Sequence, residues 1–306
     1  MNLVEKETAI GAVNHRDDSA LVSVVIPCYN HEKYIERCLN SVASQTYKNI
    51  EAVIIDDCSP DGSAKKIEQL IKTKNWQLRF PSSTQFHCFS QNQGAHAAIN
   101  YGISKAKGDI IAILNSDDMY HPDRLKLIVN EMKQDGIDFV FSRVQYVDDT
   151  DKIVTESHPT AGVYSRFQKN IKTNQFPSVG FALLSANVAI STGNFAFTRA
   201  LFNRVGEFGT HPYCHDWDFI LRSLVHTEPF YLEQDLYYYR FHGKNTFESL
   251  GPTITHEELA SLLVNFFSKV LYDWTPNPIA PSPLNWPGFF ELFMDLWPHL
   301  NAGIKF

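Results

Sequence analysis

Residues 109–118 read DIIAILNSDD, an apolar run that ends in a polar turn with two adjacent aspartates. A short β-branched run of this kind predicts a strand that is buried on both faces, as in a parallel sheet. Two earlier runs have the same character, at residues 21–27 (LVSVVIP) and 51–56 (EAVIID). We therefore expect these three strands to lie side by side in the core.

Apolar residues at helical spacing separate the predicted strands. The predicted helices cover residues 35–42, 64–72, 94–106 and 122–132, and a further strand covers residues 139–144. Strands that alternate with helices favour an α/β fold, in which helices cover both faces of a mostly parallel, Rossmann-like sheet. In such sheets, ligands bind outside the carboxyl ends of the strands.

Composition divides the chain into three parts, which are a polar arm at residues 1–20, a main domain at residues 21–250 and a helical appendix at residues 251–306. Within the main domain, the periodicity is weak over residues 145–192, and a strand is predicted at residues 232–239. The appendix has one amphipathic helix pattern at 257–270. Its apolar stretch at 288–300 either packs on the main domain or forms a membrane-surface or homodimer contact.

The overall composition excludes several functional classes. Of 306 residues, 44% are apolar and 20% are charged, which is typical of a folded globular protein, and the net charge is −7. Because nucleic-acid binders usually carry a basic surplus, we expect no nucleic-acid partner. The five cysteines form no Cys-x-x-Cys pair, and no window approaches the ~18 apolar residues of a spanning helix. We expect a cytoplasmic protein, with peripheral membrane contact left open.

Carboxylates follow two of the predicted core strands. Asp117 and Asp118 end the 109–118 run, where paired carboxylates suit Mg²⁺ or Mn²⁺ together with a substrate phosphate. Asp56 and Asp57 end the 51–56 run, and neighbouring side chains on an extended backbone point to opposite sides. One of these two carboxylates can hold the turn while the other accepts an N–H from a nucleobase. The alternatives are solvated loop aspartates for the first pair and helix capping for the second.

Two later segments carry further candidate groups. Asp216 opens a predicted helix within HDWD and is a candidate general base for a hydroxyl, or else an acid favoured by the helix dipole. Residues 239–245 (YRFHGKN) combine cations, an imidazole and a glycine, which suits a segment that closes over a diphosphate, or else a solvated loop. The spacing of His211, Cys214 and His215 does not suit a structural zinc site.

Several ordered motifs between residues 21 and 246 resemble those of the family 2 glycosyltransferases, which are inverting enzymes with the GT-A fold. The matching segments are VSVVIPCYN at 22–30, IIDDCSPDGS at 54–63, NQG at 92–94, LNSDD at 114–118, HDWD at 215–218 and YRFHGKN at 239–245. The resemblance implies transfer of a sugar from a nucleotide-diphosphate sugar, a UDP-sugar above all, to a hydroxyl of a glycan or lipid-linked acceptor. It assigns the nucleotide to residues 21–120 and the acceptor to residues 121–250.

The resemblance also implies a role for each matching residue. Asp57 is expected to bind the base, Asp117 the ribose or diphosphate, and Asp118 the divalent cation. Asp216 is expected to be the catalytic base, and His242 to help hold the metal or the diphosphate. The other residues expected at the nucleotide are Pro27, Tyr29, Asn30, Asn92 and Gly94.

The chain departs from the family pattern at three positions. His215 stands where the family often has Glu, Ile99 where it often has Arg, and Asn115 where the metal motif often has its first acid. Two other functions stay open at this point. One is a nucleotide-sugar binding or scaffold module without catalysis. The other is a sugar-nucleotide synthesising enzyme, although residues 28–31 (CYNH) do not form its Gly-rich phosphate loop.

Overall fold

The computed structural model describes residues 20–171, 176–243 and 252–296. The strands are β1 Val22–Cys28, β2 Ile50–Asp56, β3 Thr84–Cys88, β4 Ile110–Ile113, β5 Met119–Tyr120, β6 Phe139–Val147, β7 Ala196–Thr198 and β8 Phe230–Arg240. The helices are α1 Ile35–Ala43, α2 Ser63–Ile71, α3 Lys74–Arg79, α4 Ala95–Lys105, α5 Arg124–Met132, α6 Pro159–Asn170, α7 Val179–Ser185, α8 Arg199–Val205, α9 His215–Leu224, α10 Pro252–Val270 and α11 Phe289–Leu296.

The described strands form one eight-stranded sheet in the order β3-β2-β1-β4-β7-β6-β8-β5. The pairings β1·β2, β1·β4, β2·β3 and β6·β8 are parallel, whereas β7 runs antiparallel to both β4 and β6. Because β7 is antiparallel to both β4 and β6, strands β4 and β6 run in the same direction. Strands β1, β2 and β8 share that direction through their parallel pairings. The carboxyl ends of these five strands therefore meet at one edge, and the expected α/β fold with a mostly parallel sheet is confirmed.

Two apolar cores cover the two faces of the sheet. On β1, Val25 belongs to one core, whereas Val24 and Ile26 belong to the other, as the alternation of side chains along a strand requires. Helix α4 packs closely against β1, because a Cβ placed on Gly102 would lie 2.5 Å from the Val25 side chain. Burying such apolar surface contributes roughly 25 cal/mol per Å².

The structure contains elements that the sequence pattern did not reveal. Helices α6 and α7 occupy the region of weak periodicity. Helix α7 is buried along most of its length, so it carries no amphipathic stripe, and the Ser178 side chain caps its N-terminus. Strand β3 lies at the edge of the sheet and is mostly half-buried, which explains its mixed sequence TQFHC.

The described part of the C-terminal region packs on the main domain. Leu262, Phe266, Val270 and Phe289 are buried in the same core as helix α9. Phe290 is 54% exposed beside them. Three sequence predictions lie outside the described residues. They concern the arm at residues 1–19, the 250/251 boundary, and residues 297–300 of the apolar stretch. No helix among the described residues is both long and apolar enough to cross a membrane.

Candidate active site

An open cleft with a volume of about 1370 Å³ lies at the edge where the parallel strands end. This volume exceeds the roughly 300–1,000 Å³ of pockets for drug-sized ligands. The structure brings most of the predicted site residues together here. Those that line the cleft are Pro27, Tyr29, Asn30, Asp57, Asn92, Gly94, Asp117, Asp216 and His242.

The end of β2 fixes the carboxylate of Asp57. Its Oδ1 accepts the backbone N–H of Gln93 at 2.7 Å, and its Oδ2 accepts the N–H of Gly94 at 2.8 Å. Gly94 has a φ of 91°, a backbone conformation that a residue with a Cβ adopts only with strain. Each carboxylate oxygen has a second lone pair, so this anchoring leaves acceptor capacity for a ligand. Asp57 therefore holds the loop before α4 and is itself rigidly held.

The end of β1 is also conformationally unusual. Asn30 has a φ of 59° and Cys58 a φ of 58°, and the Asn30 N–H donates to Ser59 Oγ at 2.9 Å. Non-glycine residues in this left-handed region cluster at ligand sites, where the surrounding structure sustains the strain. Tyr29, which directly precedes Asn30, is 46% exposed, so its ring is available to a ligand in the cleft.

Asp117 and His242 meet directly, although 125 positions separate them in the chain. His242 Nε2 lies 2.9 Å from Asp117 Oδ2, and their side chains are only 3% and 12% exposed. His31 approaches the same oxygen, with its Nε2 at 3.8 Å. Burial alone would raise the pKa of Asp117, but the neighbouring His31 and His242 outweigh it and hold that pKa below its usual value.

Asp118, which the family resemblance assigns to the cation, does not belong to this group. It is 1% exposed and does not line the cleft. Its Oδ2 accepts the hydroxyl of Tyr237, and its Oδ1 accepts the backbone N–H of Arg240 at 2.8 Å. Burial and the adjacent Asp117 raise the pKa of Asp118. The carboxylate thus joins the turn after β4 to β8, and Asp117 takes the position in the cleft.

Tyr34 and Arg240 pack against this group. The sequence analysis gave Tyr34 no role and placed Arg240 among the cations of a segment that closes over a diphosphate, whereas the structure buries Arg240 completely. The Tyr34 ring stacks on His242 at a centroid distance of 5.1 Å and meets His31 edge-on at 6.0 Å. The Arg240 guanidinium lies 5.1 Å from the Tyr34 ring centroid, and its Nε donates to the Asp117 carbonyl at 2.8 Å. Since Arg240 is fully buried, these contacts form a rigid base under Asp117 and His242.

Asp216 lies in the first turn of α9, where the helix dipole favours a negative charge. Its Oδ2 accepts the amide N–H of Asn187 at 2.8 Å, and its Oδ1 accepts the backbone N–H of Trp217 at 2.7 Å. Burial nevertheless raises the pKa of Asp216 above its ordinary value, while the neighbouring His215 opposes the rise. A carboxylate with these properties is suited to accept a proton.

Apolar and aromatic side chains line the part of the cleft that α6 and α9 form. Val163 and Phe167 on α6 are each 36% exposed, and Tyr164, Tyr213 and Trp217 line the same region. The Trp217 indole N–H donates to the Leu183 carbonyl at 2.7 Å, which fixes its ring. Exposed rings beside a carboxylate provide flat surfaces for an apolar ligand face.

Comparison with known proteins shows the family of the chain. The family model described as glycosyl transferase family 2 matches residues 23–205. The chain belongs to this family and is therefore a glycosyltransferase with a GT-A type fold. An uncharacterized glycosyltransferase of Nostoc sp. is 29% identical over 259 residues, which cover 78% of this chain and 70% of that protein. Glycosyltransferase GlyG of Streptococcus pneumoniae is 33% identical over 134 residues, 44% of this chain and 42% of GlyG.

Solved structures show the same fold at low sequence identity. S. aureus TarS 1-349 in complex with UDP-GlcNAc has a TM-score of 0.65 at 18% identity, and the match covers 93% of this chain and 76% of TarS 1-349. The mannosyltransferase PcManGT from Pyrobaculum calidifontis, in complex with GDP-Man and Mn²⁺, has a TM-score of 0.62 at 16% identity, with 94% and 76% covered.

Proposed function

We propose that this glycosyltransferase is inverting and metal-dependent, and that Asp216 is its general base. The observation that carries the proposal is the single cleft lined by Asp57, by the Asp117–His242 pair and by Asp216. In this cleft, Asp57 can accept a hydrogen bond from a nucleobase, the Asp117–His242 pair can bind a cation, and the carboxylate of Asp216 can accept a proton. These are the three functions that sugar transfer from a nucleotide-diphosphate sugar requires.

The donor binds against the ends of β1, β2 and β4. Asp57 accepts an N–H of the base, for which uracil is the proposed partner, and Asn92 and Gly94 form the adjoining loop. Tyr29 stacks on the nucleotide, and Pro27 and Asn30 shape the pocket through their backbones. The complexes of the structural neighbours with UDP-GlcNAc and GDP-Man support a nucleotide sugar as the donor class.

A divalent cation, Mg²⁺ or Mn²⁺, fits the Asp117–His242 pair. The carboxylate is buried and its pKa is lowered, so it is anionic at neutral pH, and carboxylate oxygen suits both Mg²⁺ and Mn²⁺. When bound, such a cation stabilises negative charge on a departing diphosphate. The complex of PcManGT with Mn²⁺ supports the same class of cofactor. In this proposal the cation ligand is Asp117 rather than Asp118.

Asp216 takes the proton of the acceptor hydroxyl. The acceptor oxygen forms a bond to the anomeric carbon as the bond from that carbon to the diphosphate breaks, and the bonding electrons leave with the diphosphate. A single displacement of this kind inverts the anomeric configuration. A positioned base contributes about 10²–10⁴-fold to such a step. Asn187 and the Trp217 N–H hold the carboxylate in place.

The acceptor is proposed to be a hydroxyl of a glycan or a lipid-linked glycan. The aromatic side chains between α6 and α9 support this class, because the C–H faces of a sugar ring pack well on flat apolar surfaces. The apolar C-terminal stretch remains a proposed site for dimer or membrane-surface contact, and part of it lies outside the described residues.

A panel of nucleotide sugars with Mn²⁺ tests the proposal. The expected result is release of nucleoside diphosphate from one donor, stimulated by the cation. With acceptor present, transfer by Asp216→Asn is expected to be about 10²–10⁴-fold slower. Calorimetry that detects donor binding without turnover against any acceptor pool would instead favour a binding or scaffold module. Release of pyrophosphate from a nucleoside triphosphate would favour a sugar-nucleotide synthesising enzyme.

A further inference from the structure

His31 lines the cleft, and the function proposed above gives it no role. It follows the strained Asn30 at the end of β1, and its Nε2 lies 3.8 Å from Asp117 Oδ2. One ligand atom from each of His31, Asp117 and His242 lies within 4.8 Å of the other two. Metal–ligand bonds of about 2.1 Å at right angles separate neighbouring donor atoms by about 3 Å. Bringing all three donor atoms onto one cation therefore requires His31 to move toward the other two by no more than about 2 Å.

The contacts of His31 orient it for this task. Its Nδ1 lies 2.7 Å from Ser116 Oγ. The hydroxyl can accept a hydrogen bond from the Nδ1–H, which leaves Nε2 unprotonated with a lone pair for a metal. Metal-binding histidines typically use their second ring nitrogen in this way, which fixes the tautomer and the ring orientation. The Tyr34 ring, which touches both imidazoles, keeps the two rings at one position relative to each other.

We infer that His31 is a third protein ligand of the divalent cation and completes a set of two imidazoles and one carboxylate. The inference rests on the proposed metal-dependent transfer and extends it in two ways. Imidazole nitrogen is a softer ligand than the carboxylate and water oxygens that suit Mg²⁺, so the set shifts the preference of the site from Mg²⁺ towards transition metals such as Mn²⁺. Three ligands held by the fold also bind the cation before the nucleotide sugar arrives.

Metal binding without donor tests the inference. The free protein is titrated with Mn²⁺, and bound Mn²⁺ is measured from the loss of the electron paramagnetic resonance signal of the aqueous ion. Wild type is expected to bind, and His31→Ala to bind about 10-fold or more weakly, the scale seen when a partner of a metal ligand is removed. His226→Ala, which removes a half-buried imidazole outside the cleft, is expected to bind like wild type.

Pulsed electron paramagnetic resonance of the bound Mn²⁺ provides a readout that a merely structural role would not change. Because the nitrogen nuclei of bound imidazoles couple to the electron spin of the ion, the wild-type spectrum is expected to show two coupled nitrogens and the His31→Ala spectrum one. In His31→Asp an oxygen replaces a nitrogen, and the ratio of Mn²⁺ to Mg²⁺ affinity is expected to fall. Thermal unfolding of each variant establishes that it is folded.

Equal Mn²⁺ affinity and equal nitrogen count in wild type and His31→Ala would overturn the inference, and so would a wild-type protein that binds no Mn²⁺ without donor. The proposed function fails separately. If Mn²⁺ binds with two nitrogens but no donor of the panel is turned over, the metal site is correct and the transfer reaction is not.

Discussion

The two sides of the cleft are built from different chemistry. The proposed donor side, formed by Asp57, Asp117 and His242, consists of polar groups that bond to backbone N–H groups and to one another at the ends of parallel strands. The proposed acceptor side, formed by Phe167, Trp217 and the Asn187–Asp216 pair, consists of rings and a single hydrogen-bonded carboxylate on helices and connecting segments. The strand ends thus hold charged groups in fixed positions, whereas the helices present apolar rings to the cleft.

The largest expected effect concerns the acceptor side. Asp216→Asn keeps the shape of the side chain but removes the proton acceptor, so kcat should fall by about 10²–10⁴-fold while donor binding is unchanged. Steady-state kinetics and calorimetry measure the two quantities. The matched control is Asp218→Asn, two residues further along α9, where the carboxylate pairs with Arg222 at 2.7 Å and does not line the cleft. Loss of donor binding in Asp216→Asn would show that Asp216 contacts the donor, which contradicts its assignment to the acceptor side.

The same residue predicts a dependence of activity and stability on pH. Burial raises the pKa of Asp216, so the base is protonated and inactive below that pKa, and kcat/KM should fall as the pH decreases through it. A raised pKa in the folded state also means that the stability which the protonated carboxyl contributes at low pH is lost as the pH rises through this pKa. Asp216→Asn should therefore unfold at a temperature no lower than wild type at neutral pH.

The next effect separates the two adjacent aspartates. Asp117→Asn should abolish metal-stimulated donor binding, with some loss of stability at neutral pH because the lowered pKa of Asp117 means that its ionised form stabilises the folded state. Asp118→Asn should instead weaken the contacts with Tyr237 and Arg240 and lower the free energy of unfolding by about 1–3 kcal/mol, the cost of disturbing buried hydrogen bonds. Calorimetry with Mn²⁺ and donor measures the binding, and chemical denaturation measures the free energy of unfolding. The reverse pattern would return the cation to Asp118.

A smaller effect is expected for the rings of the acceptor side. Phe167→Ala removes a partly exposed ring from the cleft and should raise the acceptor KM several-fold, since aromatic contacts contribute about 0.5–1.5 kcal/mol, without changing the donor KM. Phe290→Ala removes an exposed ring outside the cleft and serves as the control. A higher donor KM in Phe167→Ala would show that the division into two sides is wrong.

The smallest effect concerns Asn187. Its amide N–H stabilises the ionised form of Asp216, so Asn187→Ala should raise the pKa of the base and shift the acidic limb of the pH–rate profile to higher pH. The maximal rate well above that pKa should change much less. A uniform loss of rate at all pH values would contradict this positioning role.

The sequence predicted the donor side far better than the acceptor side, for a physical reason. Strands β1, β2 and β4 are continuous apolar runs, and the residues after them must lie at one edge of a parallel sheet. Asp57 and Asp117 follow such runs directly. The composition of residues 239–245 suggested a diphosphate contact for the segment that contains His242, but only the family resemblance gave His242 itself a role, because β8 joins the same edge through pairings far away in the chain.

The parts that the sequence did not reveal depend on local geometry or on tertiary packing. Asp117 and Asp118 are adjacent and chemically identical, and only the position of Tyr237 and the Arg240 N–H decides which one faces the cleft. His31 gave a weak signal, a histidine directly after a predicted core strand. Asn187 lies in a region without periodicity, since α7 is buried along most of its length and carries no amphipathic stripe.

The stereochemistry of the product tests the central claim most directly. Once the panel has identified the donor, proton NMR of the freshly formed glycoside reads the anomeric configuration from the coupling of the anomeric proton. A single displacement with Asp216 as base predicts that an α-linked donor gives a β-linked product. An α-linked product would contradict the account, because retention requires a different arrangement of the reacting groups.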